Sequence, residues 1–348
     1  MKHDYFFLKP FAQDGLSLKN RVVMSAMTRN FSSEDHLATD EMKDYYARRA
    51  KYGVGLILTE GTIIHPLADG YPRVPYIYTK EQTESWKKVV DAVHKEDTKI
   101  FCQLWHCGRI SHPDYLGGQI PVSVSNIKPD GNAPRINQPF VAPRALLTEE
   151  IPEIVEMFEV ATRNALLAGF DGVEIHAGHG YLLDSFFDSR INNRTDQYGG
   201  SIENRCRFPL MVLKAVLAIA GPFSTSLRIS PSREMNGIYE WPDKDEMLAY
   251  LLPEMERLGL TILDVSCARS DYRKTSGKVV HAIRSKWKGT LMSGASLSFE
   301  DADEEVKSGY IDLVTYGRFL IANPDLVQKI EEGSPLVPYD TQMLKTLH

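Results

Sequence analysis

Eight short apolar runs recur along the chain: Arg21–Met27, Val54–Thr62, Lys99–His106, Gly172–Ala177, Ser224–Ser230, Leu260–Cys267, Gly289–Ala295 and Ile311–Gly317. Each is nearly continuous in its hydrophobicity rather than alternating, the pattern of a parallel strand covered on both faces. Longer amphipathic stretches separate them. In Glu81–Lys95, for example, Trp86, Val89, Val90 and Val93 mark one helical face. Thr79-x-x-Gln82, Asp243-x-x-Glu246 and Ser298-x-x-Asp301 read as helix-opening capping boxes. Asn323-Pro324 reads as an N-cap followed by a proline at the first helical position.

Eight strand–helix repeats in strict order predict an α/β fold, a (β/α)8 TIM barrel spanning residues 1–348 as one domain. An open doubly wound sheet is the competing architecture, but no GxGxxG turn follows the first strand. One connection is long. From 107 to 148 the chain carries Pro113, Gly117, Gly118, Pro121, Pro129 and Pro143. An excursion of that length after strand 3 predicts a lid or wall over the barrel mouth, with VSVSNI and PFVAPRAL paired as a hairpin.

The 348 residues carry a formal charge of −6, without a basic stripe of the kind nucleic acid requires. No apolar run reaches membrane-spanning length, and the opening MKHDYFFLKPF has no signal-peptide pattern. A cytoplasmic protein, monomeric or homodimeric, is the expectation. Cys102, Cys107, Cys206 and Cys267 form no CxxC pair and suit reduced thiols rather than a disulfide framework or an iron–sulfur centre. A reactive or redox-sensing thiol is the minor alternative, with Cys107, on the long connection, its best exposed-loop candidate.

Barrel chemistry gathers at the C-terminal ends of the strands. There the sequence places Thr28, Glu60 with Gly61, Gln103 with Trp105 and His106, His176 with His179 and Tyr181, Arg228, Ser266, Gly294, and Gly317 with Arg318. Glycines after strands seven and eight let backbone N–H groups approach a phosphate, and Arg318 adds a bidentate charge. Arg228 lies inside an apolar run, where a buried cation requires an anionic neighbour. That neighbour is either a glutamate, Glu174 or Glu60, or a flavin whose reduced ring gathers negative charge. Gln103 has the paired donor and acceptor to read the ring's amide edge, and Thr28 a hydroxyl for its C4 carbonyl. His176 and His179 admit two readings, metal ligands or paired donors to a substrate oxygen. Tyr181, protonated at neutral pH, is a candidate acid.

Together these residues resemble the Old Yellow Enzyme family of FMN-dependent ene-reductases, from about Phe7 to about Pro338. NRVVMSAMTRN, LTEGTIIHPLADGYP and KIFCQLWHCGRISHP match the family's first three strands, and GRFLIANPDL its phosphate-binding end. DGVEIHAGHGYLLDSFFDSRINNRTDQYGGSIENRCRF is the most specific segment. The resemblance implies that Thr28, Gln103 and Arg228 hold the flavin ring. It gives Gly294, Ala295, Gly317 and Arg318 to the flavin phosphate. It makes His176 and His179 the grip on the substrate oxygen, Tyr181 the proton donor, and Tyr71 and Trp105 the pocket walls. Gly61 stands where relatives usually carry alanine, and the expectation is a wider space. Thr28 in place of cysteine resembles the branch named for yeast and enteric members.

Two departures stand out. SGAS near residue 294 is less glycine-rich than in many relatives. The C-terminal PYDTQMLKTLH lacks the aromatic-rich tail that many fold over the pocket, which predicts a more open mouth. The implied activity is hydride transfer from NADPH or NADH, through FMN, to the β-carbon of an enone, enal, maleimide or nitro compound. A metal-dependent barrel hydrolase or aldolase, and a non-catalytic FMN-binding barrel, are the competing functions.

Overall fold

The computed structural model describes residues 4–13, 15–234, 238–268 and 270–348. Eight strands close into a barrel: β1 Val22–Met24, β2 Leu56–Leu58, β3 Lys99–Trp105, β4 Gly172–Ala177, β5 Thr225–Ile229, β6 Ile262–Val265, β7 Thr290–Gly294 and β8 Leu313–Tyr316. Every neighbouring pair is parallel, and β8 pairs with β1 to complete the ring. The second run predicted from sequence is broken. After β2 the chain leaves the ladder and rejoins β3 at Thr62–Ile63, so Glu60 and Gly61 sit on the break.

Helices α1 Asp40–Lys51, α2 Lys80–His94, α3 Ile151–Leu167, α4 Leu182–Phe187, α5 Ile202–Ala220, α6 Lys244–Leu258, α7 Ser276–Ile283, α8 Phe299–Lys307, α9 Arg318–Ala322 and α10 Leu326–Glu332 follow the strands. Trp86, Val89, Val90 and Val93 of α2 are buried, as the periodicity predicts. The longest helix spans 19 residues, and among the described residues none is long and apolar enough to cross a membrane.

The near-continuous apolar runs conceal an inside–outside alternation. Ile100, Cys102 and Leu104 of β3, Val173, Ile175 and Ala177 of β4, and Leu227 and Ile229 of β5 pack outward against the helices. The alternate positions point into the barrel. Phe101, Leu56, Leu58, Ile262, Met292 and Leu313 fill the lower half over a hairpin, Phe11–Gln13 with Leu16–Leu18. Above them the inward positions are Gln103 and Trp105, Glu174 and His176, Ser226 and Arg228, and Asp264. An apolar plug therefore supports a polar floor.

Three local readings need correction. The Thr79–Gln82 box and the Ser298 cap form, but Asp243 caps nothing because its carboxylate is engaged by Arg205. Asn323 does not open a helix; its side-chain oxygen accepts from Val337 N at 2.8 Å and Lys329 Nζ at 3.0 Å, tying down the chain after α10. In the long connection, Val122–Ser123 and Arg144–Ala145 pair in parallel rather than as a hairpin. Twenty residues lie between the two pairs, enough to run out and return before pairing.

Candidate active site

A cavity of about 550 Å³ opens at the C-terminal ends of the strands. Thr28, Gly294, Ala295, Gly317 and Arg318 line it, as do Arg228, His179, Ser266 and Tyr71. At Gly294 any side chain would collide with the next strand, since a Cβ there would lie 2.0 Å from the Thr315 carbonyl oxygen. Ala295 follows with φ 97° and donates its N–H to Thr315 O at 3.2 Å. Asn30, Arg135, His179, Ala268 and Ala295, all non-glycine, line the cavity with positive φ. Such strain costs on the order of 1–3 kcal/mol per residue and collects where a site requires a particular backbone.

Arg228 forms the floor. It is buried, and its Nε reaches Asp264 Oδ2 at 2.6 Å and Glu174 Oε1 at 3.3 Å, while Nη2 donates to Ser25 Oγ at 3.1 Å. Burial works against its charge, yet Asp264 and Glu174 raise its pKa. Of the two glutamates considered from sequence, Glu174 is the partner. Glu60 instead accepts from the backbone N–H groups of Arg29 and Asn30, at 3.0 and 3.4 Å. Gln103 donates to Glu174 at 2.7 Å, leaving its carbonyl and second N–H for other contacts. Asp264 was missed in the sequence because it sits inside ILDV, where the inward position is hidden by its apolar neighbours.

Behind the lining residues Tyr71 and His179 lies an aromatic cluster that itself is not part of the cavity lining. His176 and His179 rings lie 5.1 Å apart, and Tyr181 is 5.0 Å from His176 and 4.8 Å from Trp105. Burial first, then His179 in the case of His176, and Arg228 and Arg233 for both, hold the two histidines far below the usual pKa, so both are neutral. His176 Nδ1 faces the Gly178 N–H at 3.4 Å, which puts its proton on Nε2. His179 has one ring nitrogen on Ser266 Oγ at 3.0 Å. Among the described residues no third His, Cys, Asp or Glu joins the pair in a metal-binding group. Burial, and next the Tyr71 hydroxyl at 2.8 Å, keep Tyr181 protonated.

Three site expectations change. Gly61 does not widen the space: a Cβ there would fall 2.2 Å from Trp105 Cε3, because the indole occupies that volume. Cys107 is buried, not exposed, and burial raises its thiol pKa. The short tail still reaches the mouth, since Tyr339, Thr341 and Leu344 line the cavity. The long connection contributes Arg135 to the same lining, a contact with no signal in the sequence beyond its place in the excursion. The donor set fits a flavin mononucleotide: a guanidinium on the floor, a threonine hydroxyl at the rim, and a Gly294 cradle with Arg318 beside it.

The pattern of the NADH:flavin oxidoreductase / NADH oxidase family matches residues 7–336. The putative 12-oxophytodienoate reductase 2 of Oryza sativa subsp. japonica is 38% identical over 349 residues, covering 97% of this chain and 90% of that one. The old yellow enzyme homologue from Zymomonas mobilis superposes with a TM-score of 0.89 at 32% identity, covering 97% and 96%. Morphinone reductase in complex with tetrahydroNAD gives 0.89 at 36% identity, covering 98% and 94%. With a flavin-compatible cavity at the mouth of the same barrel, the chain belongs to the NADH:flavin oxidoreductase / NADH oxidase family, that of Old Yellow Enzyme, and is an NAD(P)H-dependent flavin oxidoreductase.

Proposed function

We propose that this protein reduces activated alkenes (enones, enals, maleimides and nitro compounds), with NADPH or NADH as donor and FMN as resident cofactor. The observation that carries the reading is the convergence of two neutral histidines and a protonated tyrosine on one wall, beside a cavity floored by Arg228. Thr28, Gln103 and Arg228 would hold the ring, and Gly294, Ala295, Gly317 and Arg318 the phosphate, with Gly61 beneath Trp105. When bound, FMN supplies two-electron hydride chemistry that no side chain here provides.

His176 and His179 donate to the carbonyl or nitro oxygen. Because both are uncharged, they stabilise developing negative charge by hydrogen bonding without giving up a proton. Tyr71 and Trp105 close the side of the pocket and exclude water from the alkene. Tyr181 delivers a proton to the α-carbon, and its raised pKa keeps that proton in place until a strongly basic carbon is presented.

The test is an anaerobic visible spectrum of the FMN-loaded protein, followed through addition of NADPH or NADH and then 2-cyclohexenone. A flavin band that bleaches with the donor and returns with the enone supports both half-reactions. A band that bleaches and never returns would remove the alkene assignment. Failure to bind FMN would remove the whole reading.

A further inference from the structure

Two carboxylates converge on one guanidinium nitrogen beneath the cavity. Strand register makes Arg228 the lateral neighbour of Asp264 on β6 and of His176 on β4. Glu174 reaches Arg228 from one residue layer lower. Arg228, Glu174 and Asp264 are all nearly inaccessible, at 2%, 0% and 1% exposure. With both acids ionised the cluster would carry a net negative charge inside the barrel, and Asp264 Oδ1 has no hydrogen-bond partner there. Like charges so close, out of water, do not both ionise readily.

We propose that Glu174 and Asp264 hold one proton between them beside Arg228, and that Asp264 thereby sets the reduction potential of the bound cofactor. The inference rests on the proposed placement of FMN above Arg228. Reduction of the cofactor by two electrons from NAD(P)H, with the proton that travels in the hydride, adds one negative charge against Arg228. That charge raises the proton affinity of the acid pair. Where the pair has lost its proton in the oxidised protein, reduction draws one from solvent onto it, and no further oxidant or reductant is needed.

The other groups facing the pair do not compete for that proton. Gln103 on β3, Ser226 on β5 and Ser25 beyond β1 are neutral. His176 on β4 and His179 beyond it are held uncharged by burial. Cys267 beyond β6 is buried. Burial and the nearby Asp264 raise Glu174 to about 7 even with Arg228 opposing them, which puts the exchange in a measurable range.

The test is a spectroscopic potentiometric titration of the FMN-loaded protein between about pH 5.5 and about pH 9. A two-electron couple taking up one proton moves by about 30 mV per pH unit, and by about 60 mV where a second proton joins it. The expected result is a steeper segment near neutral pH in the wild-type protein. Asp264→Asn, which leaves Glu174 as a simple ion pair with Arg228, should show the shallow slope throughout. At the alkaline end its oxidised form should also be tenfold less favoured than in the wild type, about 30 mV higher in potential. Glu174→Gln should lose the steep segment too, separating the proton effect from any change in the Asp264 contact. A single shallow slope in the wild type, or a steep segment that survives in Asp264→Asn, would overturn the proposal. Absence of bound flavin would instead overturn the placement of FMN on which it rests.

Discussion

The hydroxyl oxygens of Tyr71 and Tyr181 lie 2.8 Å apart, and the two rings flank Trp105 at centroid distances of 5.0 and 4.8 Å. Tyr181 is partly buried beside the cavity, whereas Tyr71 lines it. The hydrogen bond orients the Tyr181 proton and gives the phenolate a donor once that proton has left. Tyr181→Phe should slow re-oxidation by weakly activated enones by about 10²–10⁴-fold, while leaving reduction by NAD(P)H unchanged. Tyr71→Phe should give a smaller loss in the same half-reaction only, on the order of tenfold, the worth of one hydrogen bond. Stopped-flow measurement of the two half-reactions separates these outcomes. Equal loss in both would assign the pair to packing rather than to proton delivery.

His106 predicts a pH-dependence of stability. It is buried, its Nδ1 accepts from Gly108 N at 3.1 Å, and its Nε2 has no partner. Burial, reinforced by nearby His65, lowers its pKa to about 3. The folded state thus refuses a proton that the unfolded chain binds below about pH 6.5. The stability is fully present above that value and is lost as pH falls toward 3, at up to about 1.4 kcal/mol per pH unit. His106→Gln, which keeps the acceptor and removes the titration, should flatten the acid limb of thermal midpoint against pH. An unchanged slope would place the acid sensitivity elsewhere.

Strand order and helix faces were readable because they depend on averages over many residues. The eight apolar runs and the stripe of α2 survive any single exception. The site was legible only in part, for a geometric reason. The glycines, histidines and arginines at strand ends advertise themselves against apolar surroundings. Asp264, one inward position within ILDV, gains its meaning only from the register that sets it against Arg228. The parallel pairing of Val122–Ser123 with Arg144–Ala145 escaped for a related reason: local propensity marks two strands but says nothing of their direction when the loop between them is long.

Gly61 shows what register does to a single atom. The sequence suggests spare room there, but the indole of Trp105 fills it, with a notional Cβ only 2.2 Å from Cε3. Trp105 cannot easily retreat, since it also contacts Tyr71, Tyr181 and His176. Gly61→Ala should therefore destabilise the fold by about 1–3 kcal/mol through overpacking. The displaced indole should also change tryptophan fluorescence and raise the enone KM. A variant as stable as the wild type, with unchanged emission, would mean that the wall repacks freely.

The C-terminal tail supplies the last prediction. Arg29 is buried, lies 4.9 Å from the Tyr45 ring centroid, and sends Nη2 to the carbonyls of Met343 at 3.1 Å and Thr346 at 2.7 Å. It follows Thr28 on the chain, so one segment presents both a cavity-lining hydroxyl and the anchor of the tail that brings in Tyr339, Thr341 and Leu344. Hydrogen bonds from a charged donor are worth about 1.5–3 kcal/mol. Losing them frees the tail and exposes the cavity on that side. Arg29→Ala should therefore increase the FMN dissociation rate by about tenfold or more, equivalent to about 1.4 kcal/mol, and open residues 339–348 to proteolysis. Arg29→Lys keeps the charge but not the planar fork, and should fall between the two. If FMN were retained equally by all three proteins while the tail became cleavable, the tail would be a cover for the mouth without a hold on the cofactor.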